Sequence, residues 1–175
     1  MEATKILSEE HQNILKALDV LERECGELES GKEMDGDFVG KAVDFIKNYA
    51  DGFHHAKEED ILFSEFNKKS DEAHCNPVDQ MLYEHGLGRD FVKGMEDGLE
   101  SNDKGKVVAS FRGYVQLLRE HIFKEENILY PMIDEILGED IQKEMLKEFD
   151  RVEGKFKGKA DKYFGIMSEF EGRLK

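Results

Sequence analysis

A histidine and a glutamate four residues apart occur at two places in the chain, His54 with Glu58 and His121 with Glu125. On a helix, side chains at that spacing leave from one face a turn apart, so imidazole and carboxylate can reach a single point. Both groups are metal ligands, and a helix can hold a metal ion in this way. The surroundings repeat too. His54-His55-Ala-Lys-Glu58-Glu59 continues to Ile61-Leu62-Phe63, and His121-Ile-Phe-Lys-Glu125-Glu126 continues to Ile128-Leu129-Tyr130. One chemical device is written into the chain twice.

The elements that must position these pairs are read from apolar periodicity. Leu7, Ile14, Leu18, Leu21, Cys25 and Leu28 make the inner stripe of a first helix, with His11 in its missing slot. A second helix is expected from about Phe38, capped by Asp35 or Asp37, and its inner row runs Ile46, Ala50, His54, Glu58, Leu62. Pro77 suits the first turn of a third helix, whose stripe carries Met81, Leu82, His85, Val92, Met95 and Leu99. Its glycines at 86, 88, 94 and 98 weaken intrinsic helicity, so packing must hold it. The fourth stripe is Val107, Phe111, Tyr114, Leu118, His121, Glu125, Ile128, Met132, with Pro131 expected to kink or end the helix. Ile141, Met145, Phe149, Val152, Phe156, Ala160, Tyr163, Met167, Phe170 and Leu174 form a long fifth stripe without histidine. It either packs along the bundle or pairs two copies, and glycines 154, 158, 165 and 172 would permit close approach of another helix.

These stripes predict an all-α protein: an up-and-down four-helix bundle with an additional long C-terminal fifth helix. The 175 residues suit a single domain over 1–175, with a bundle core about 4–137 and a C-terminal helix about 139–174. A formal charge of -15, from 40 acidic against 25 basic residues, argues against nucleic acid or an anionic membrane as partner. No apolar run approaches a membrane span, and the N-terminus lacks a secretion-signal layout, so a cytoplasmic protein is expected. Cys25 and Cys75 lack the close pairing of thiolate sites and are expected to be free thiols.

Collected along the chain, the inward polar residues are His11, then His54 with Glu58, then His85, then His121 with Glu125. Any one histidine on an apolar face is more often a core residue bonded to a carbonyl or carboxylate. Four in matching register on alternate helices are another matter. Burying them with two carboxylates and no partner would cost several kcal/mol per ion, on the order of the whole stability of a domain. Six ligands exceed what one tetrahedral zinc needs, whereas two ions bridged by two carboxylates use all six and keep open positions. Imidazole and carboxylate without thiolate suit iron or manganese. His55 with Glu59 has the same spacing, but its row runs back through Asp51, Asn48 and Asp44 and reads as a solvated face. His74 is expected in a loop. Glu10, Glu84 and Glu126, each beside an inward residue, are expected at the surface or around the ligands, with Glu126 the rival of Glu125.

These motifs resemble the hemerythrin-like family, the HHE cation-binding domain, over about residues 4–137. The resemblance rests on Glu-His at 10–11, His-His-x-Lys-Glu-Glu-x-x-Leu-Phe at 54–63, Glu-His-x-x-x-Arg at 84–89 and His-x-x-Lys-Glu-Glu-x-x-Leu-x-Pro at 121–131. It implies a bundle holding two iron ions, oxo- or hydroxo-bridged, on His11, His54, Glu58, His85, His121 and Glu125, with manganese or a mixed pair as the alternative. The oxygen carriers of that family have a second histidine where this chain has Arg89, and their last-helix carboxylate lies five residues after its histidine rather than four. The resemblance therefore implies a four-histidine, two-glutamate form that binds or turns over dioxygen, hydrogen peroxide or nitric oxide, with peroxidase- or catalase-like chemistry or another oxidoreductase activity and an unidentified redox partner. The alternative is an iron or gas sensor, or an iron-handling protein without turnover, whose C-terminal helix mediates the response or a homodimer.

Overall fold

A computed structural model of the chain describes residues 2–173. All regular structure among the described residues is helical, in the expected all-α bundle. The first rod is α1 (Ala3–Glu29), which ends at Ser30 and the left-handed Gly31 (φ 105°), a conformation that glycine adopts at little cost. The second begins as α2 (Gly36–Phe45), capped by the Asp35 side chain, which accepts from the Phe38 amide at 3.1 Å. It continues through π-helical turns (Ile46–His55 and Glu58–Leu62) into α3 (Phe63–Asn67). Then come α4 (Val78–Glu100) and α5 (Lys104–Lys124), the latter running through a third π-helical turn (Glu125–Leu129) into α6 (Tyr130–Ile136). The last rod is α7 (Glu139–Arg173). Leu174 of the expected fifth stripe lies outside the described residues.

Pro131 does not end the fourth rod. It falls in the first turn of α6, directly after the π-helical turn, where a proline is tolerated. The wider turn changes the hydrogen-bond register ahead of the proline, and the helix runs on to Leu137, whose backbone is extended.

The four rods pack in a ring, first against second, second against third, third against fourth and fourth against first, and α7 lies across the first two. Glycines bring α4 and α5 together: a Cβ at Gly94 would collide with Ser110, and one at Gly98 would lie 2.8 Å from the Val107 side chain. Packing thus requires two of the glycines that weaken this helix, Gly94 and Gly98, while a Cβ at Gly86 would meet nothing within 4 Å. On α7 a Cβ at 154, 158, 165 or 172 would meet nothing within 4 Å, so those glycines admit no neighbouring helix of this chain. The helix docks instead through Met145, Phe149, Tyr163, Ile166, Met167 and Phe170.

The apolar core is divided in two. One part includes Ile14, Leu18, Phe53, Val92, Phe111 and Leu118, the other Leu7, Leu62, Phe63, Met81, Leu129 and Ile133. Each of the four rods crosses from one part to the other at a histidine: His11, His54, His85 and His121. A polar layer therefore sits at mid-bundle, sealed above and below by apolar side chains.

Candidate metal centre

The histidines of this layer are buried, His11 and His54 at 0%, His121 at 1% and His85 at 2% exposure, and Glu58 and Glu125 are at 0%. Their packing follows from the stripes, since each sits in a register position otherwise filled by a core residue. Each of the four imidazoles gives its Nδ1 to a carboxylate on another helix: His54 to Glu10 at 2.9 Å, His11 to Glu126 at 2.9 Å, His121 to Glu84 at 2.9 Å and His85 to Glu59 at 2.7 Å.

The pattern has an internal two-fold logic. In each His-x-x-Lys-Glu-Glu motif, the histidine is braced by the glutamate that precedes the lone histidine of a neighbouring rod. The lysine binds that same glutamate, as Lys57 binds Glu10 and Lys124 binds Glu84. The second glutamate of the motif braces the lone histidine of the other neighbouring rod, Glu59 on His85 and Glu126 on His11. A carboxylate can only accept, so each Nδ1 carries a proton and each Nε2 is the nitrogen turned inward, where its lone pair can serve a cation.

The inner atoms then have too little to bind. His54 Nε2, Glu58 Oε2 and both Glu125 oxygens are buried without a hydrogen-bond partner, and the Nε2 atoms of His85 and His121 face each other at 3.0 Å. Glu58 spans His54 (3.6 Å) and His85 (3.5 Å), while Glu125 spans His11 (3.3 Å) and His121 (3.2 Å). Two groups of ligand atoms lie within 4.8 Å of one another: His11, His54, Glu58 and Glu125 in one, and His55, Glu58, His85 and His121 in the other. Converging lone pairs in a dry layer fit a cation, because only positive charge satisfies them all. The family model for the hemerythrin HHE cation binding domain matches residues 2–133. The chain belongs to that family. No curated protein and no solved structure matches it.

A hemerythrin HHE domain without its cation must hold protons instead. Burial alone would hold His121 neutral, but Glu125 and Glu84 outweigh it and lift the imidazole to about 10; Glu125 and Glu126 likewise lift His11 to about 9. Burial and the Glu125 charge push the Glu58 carboxyl well up, whereas His121 and His11 overcome burial and hold Glu125 ionised. Burial also keeps His54 neutral. A metal ion would replace these protons.

Of the neighbouring carboxylates, Glu126 lies on the outer nitrogen of His11 with its side chain 31% exposed, while Glu125 points between the histidines. Glu10 and Glu84 are buried braces rather than surface groups. His74 is exposed, as expected of its loop. His55 differs from the expectation. It is 5% exposed, stacked on His85 with centroids 3.9 Å apart, rather than part of a solvated row. A π-helical turn covers Ile46–His55, so a face projected at α-helical period is displaced by its end.

Periodicity also left Tyr130 without a role. Its ring stacks on His11 and its hydroxyl donates to Glu58, while burial holds the phenol well above its ordinary value and so keeps it protonated. The equivalent residue of the first motif is Phe63, stacked near His85, so the two halves of the centre differ by one hydroxyl. Lys57 and Lys124 did have a sequence signal, a lysine three residues after each motif histidine.

Proposed function

We propose that the chain is a non-haem di-iron protein that binds or turns over a small oxidant or gas ligand: dioxygen, hydrogen peroxide or nitric oxide. The observation that carries this reading is the set of unpartnered inner atoms in two groups sharing Glu58. His11 and His54 would serve one ion, His85 and His121 the other, with Glu58 and Glu125 bridging. Imidazole and carboxylate donors without thiolate favour iron, with manganese or a mixed pair next. Bound iron supplies redox chemistry at open coordination positions.

The protein's own part is orientation and exclusion. The Nδ1 carboxylates fix every tautomer and ring angle. Tyr130 holds a proton at Glu58 Oε1, and the two apolar compartments keep bulk water out. The free thiols Cys25 and Cys75 support a reducing compartment, and we place the protein in the cytoplasm. No helix of the described residues is long and apolar enough to cross a membrane.

Loading with ferrous iron under anaerobic conditions tests the reading. Two irons per chain are expected, with a near-ultraviolet charge-transfer band after addition of dioxygen, peroxide or nitric oxide; an iron content near zero would sink it. Product release in excess of the iron present separates turnover from binding.

A sensing role has one specific support. Lys57, 0% exposed, joins Glu10 beneath His54 to α7, where it lies 3.6 Å from Glu153 and 5.1 Å from the Phe149 ring centroid. Occupancy of the centre would then be felt by the C-terminal helix. Hydrogen exchange along 139–173 with and without iron decides this, and identical protection would remove the sensor reading.

A further inference from the structure

We infer that His55 is a fifth histidine ligand of the centre, and that Arg89 positions it through Asp51. The inference rests on the two-ion reading above and adds a ligand from a residue that spacing assigns to solvent.

His55 shares what distinguishes the other four imidazoles. It is buried, its Nδ1 faces a carboxylate (Asp51, 3.3 Å), and a ring nitrogen lies within 4.8 Å of ligand atoms of Glu58, His85 and His121. With Nδ1 turned to Asp51, Nε2 is the nitrogen left for the cluster. The parallel stack on His85, at 12° between rings, sets the two imidazoles side by side toward the same ion. That ion would take three histidines, and its neighbour two.

Arg89 supplies the orientation. It lies one turn after His85, and its guanidinium leaves the bundle interior to grip Asp51, with Nε at 3.0 Å and Nη2 at 2.7 Å from Oδ1. The same Nη2 lies 2.7 Å from Glu59 Oε1, the brace of His85. One planar, permanently charged fork thus holds the carboxylates behind both stacked imidazoles, a task that a lysine ammonium does not reproduce. A cavity of about 140 Å³, lined by His55, His85, Arg89, Asp51 and Tyr114, adjoins this pair and gives a small molecule room beside them.

The test loads the full chain anaerobically with cobalt(II), whose visible d–d bands report coordination number, and follows metal removal by a chelator. Wild type is expected to bind two cobalt ions, with two unequal band sets. In His55→Ala one band set shifts, one ion leaves about tenfold faster or more, and added imidazole restores the wild-type spectrum. Arg89 is exposed, so Arg89→Leu leaves the core filled; the same shift in part, with Arg89→Lys no better, is expected. Two ions with wild-type spectra and removal rates in His55→Ala would overturn the ligand role. An unchanged spectrum in folded Arg89→Leu would overturn the positioning role. If His55→Ala fails to fold, the Arg89→Leu spectrum alone decides, wild-type bands counting against the inference. A wild-type chain that takes up fewer than two cobalt ions overturns the two-ion reading itself, an outcome separate from any variant result.

Discussion

Glu10 and His54 sit 44 residues apart on different rods, joined at 2.9 Å with Lys57 bound to the same carboxylate. Lys57 is fully buried, its ammonium 4.0 Å from the Phe53 ring centroid. Removing Glu10 alone leaves this buried cation with only the half-exposed Glu153 carboxylate, 3.6 Å away. Glu10→Ala is expected to lower stability by about 3–5 kcal/mol in urea unfolding, and Glu10→Ala with Lys57→Met to recover most of that loss. A double variant as unstable as the single one would show that the pair is not what matters there.

The neighbours Glu125 and Glu126 should separate by metal content. Glu125 lies between His11 and His121, 3.3 and 3.2 Å from their Nε2 atoms with neither oxygen in a hydrogen bond, while Glu126 holds the outer nitrogen of His11. Glu125→Ala is expected to lose metal. Glu126→Ala should retain it with affinity lower by about 10- to 100-fold, as measured by chelator competition. The reverse order would move the site by one residue.

Glycine substitutions should have opposite signs on two helices. A methyl group at Gly94 meets Ser110 across the α4–α5 contact, so Gly94→Ala should cost about 1–3 kcal/mol through overpacking. At Gly158, where a Cβ meets nothing within 4 Å, alanine should add about 0.5–1 kcal/mol through helix propensity. Thermal unfolding of the two variants checks both signs.

Cys25 is 0% exposed and Cys75 is exposed. Burial pushes the Cys25 thiol from an ordinary 9.0 up to about 11. Between those values the unfolded chain has lost a proton that the folded chain keeps. The contribution of this site is thus complete below pH 9 and is lost as pH rises through 11. Alkylation at neutral pH should label Cys75 and spare Cys25, and stability should fall from pH 9 to 11 less steeply in Cys25→Ala. Equal labelling of both thiols would contradict the burial.

The helices, their inward faces and the inward direction of His11, His54, His85 and His121 were legible in the sequence. Each of these depends only on where a residue lies around its own helix axis, and a 3- and 4-residue period records that. The recurrence of His-x-x-x-Glu further pointed to a duplicated device. What periodicity could not show is which carboxylate serves which histidine. Glu10, Glu59, Glu84 and Glu126 reach imidazoles on other rods, and such pairings depend on the rotation and offset between helices. The π-helical turns are hidden for a related reason: the hydrogen-bond register there is not written in apolar spacing, so periodicity alone puts His55 in solvent and a kink or end at Pro131. Likewise, the apolar stripe of α7 was evident while its partner was not, since an amphipathic face states that something must cover it but not what. Only the packed bundle decided that its first two rods do, and only there did the motif lysines and Arg89 find the carboxylates they hold.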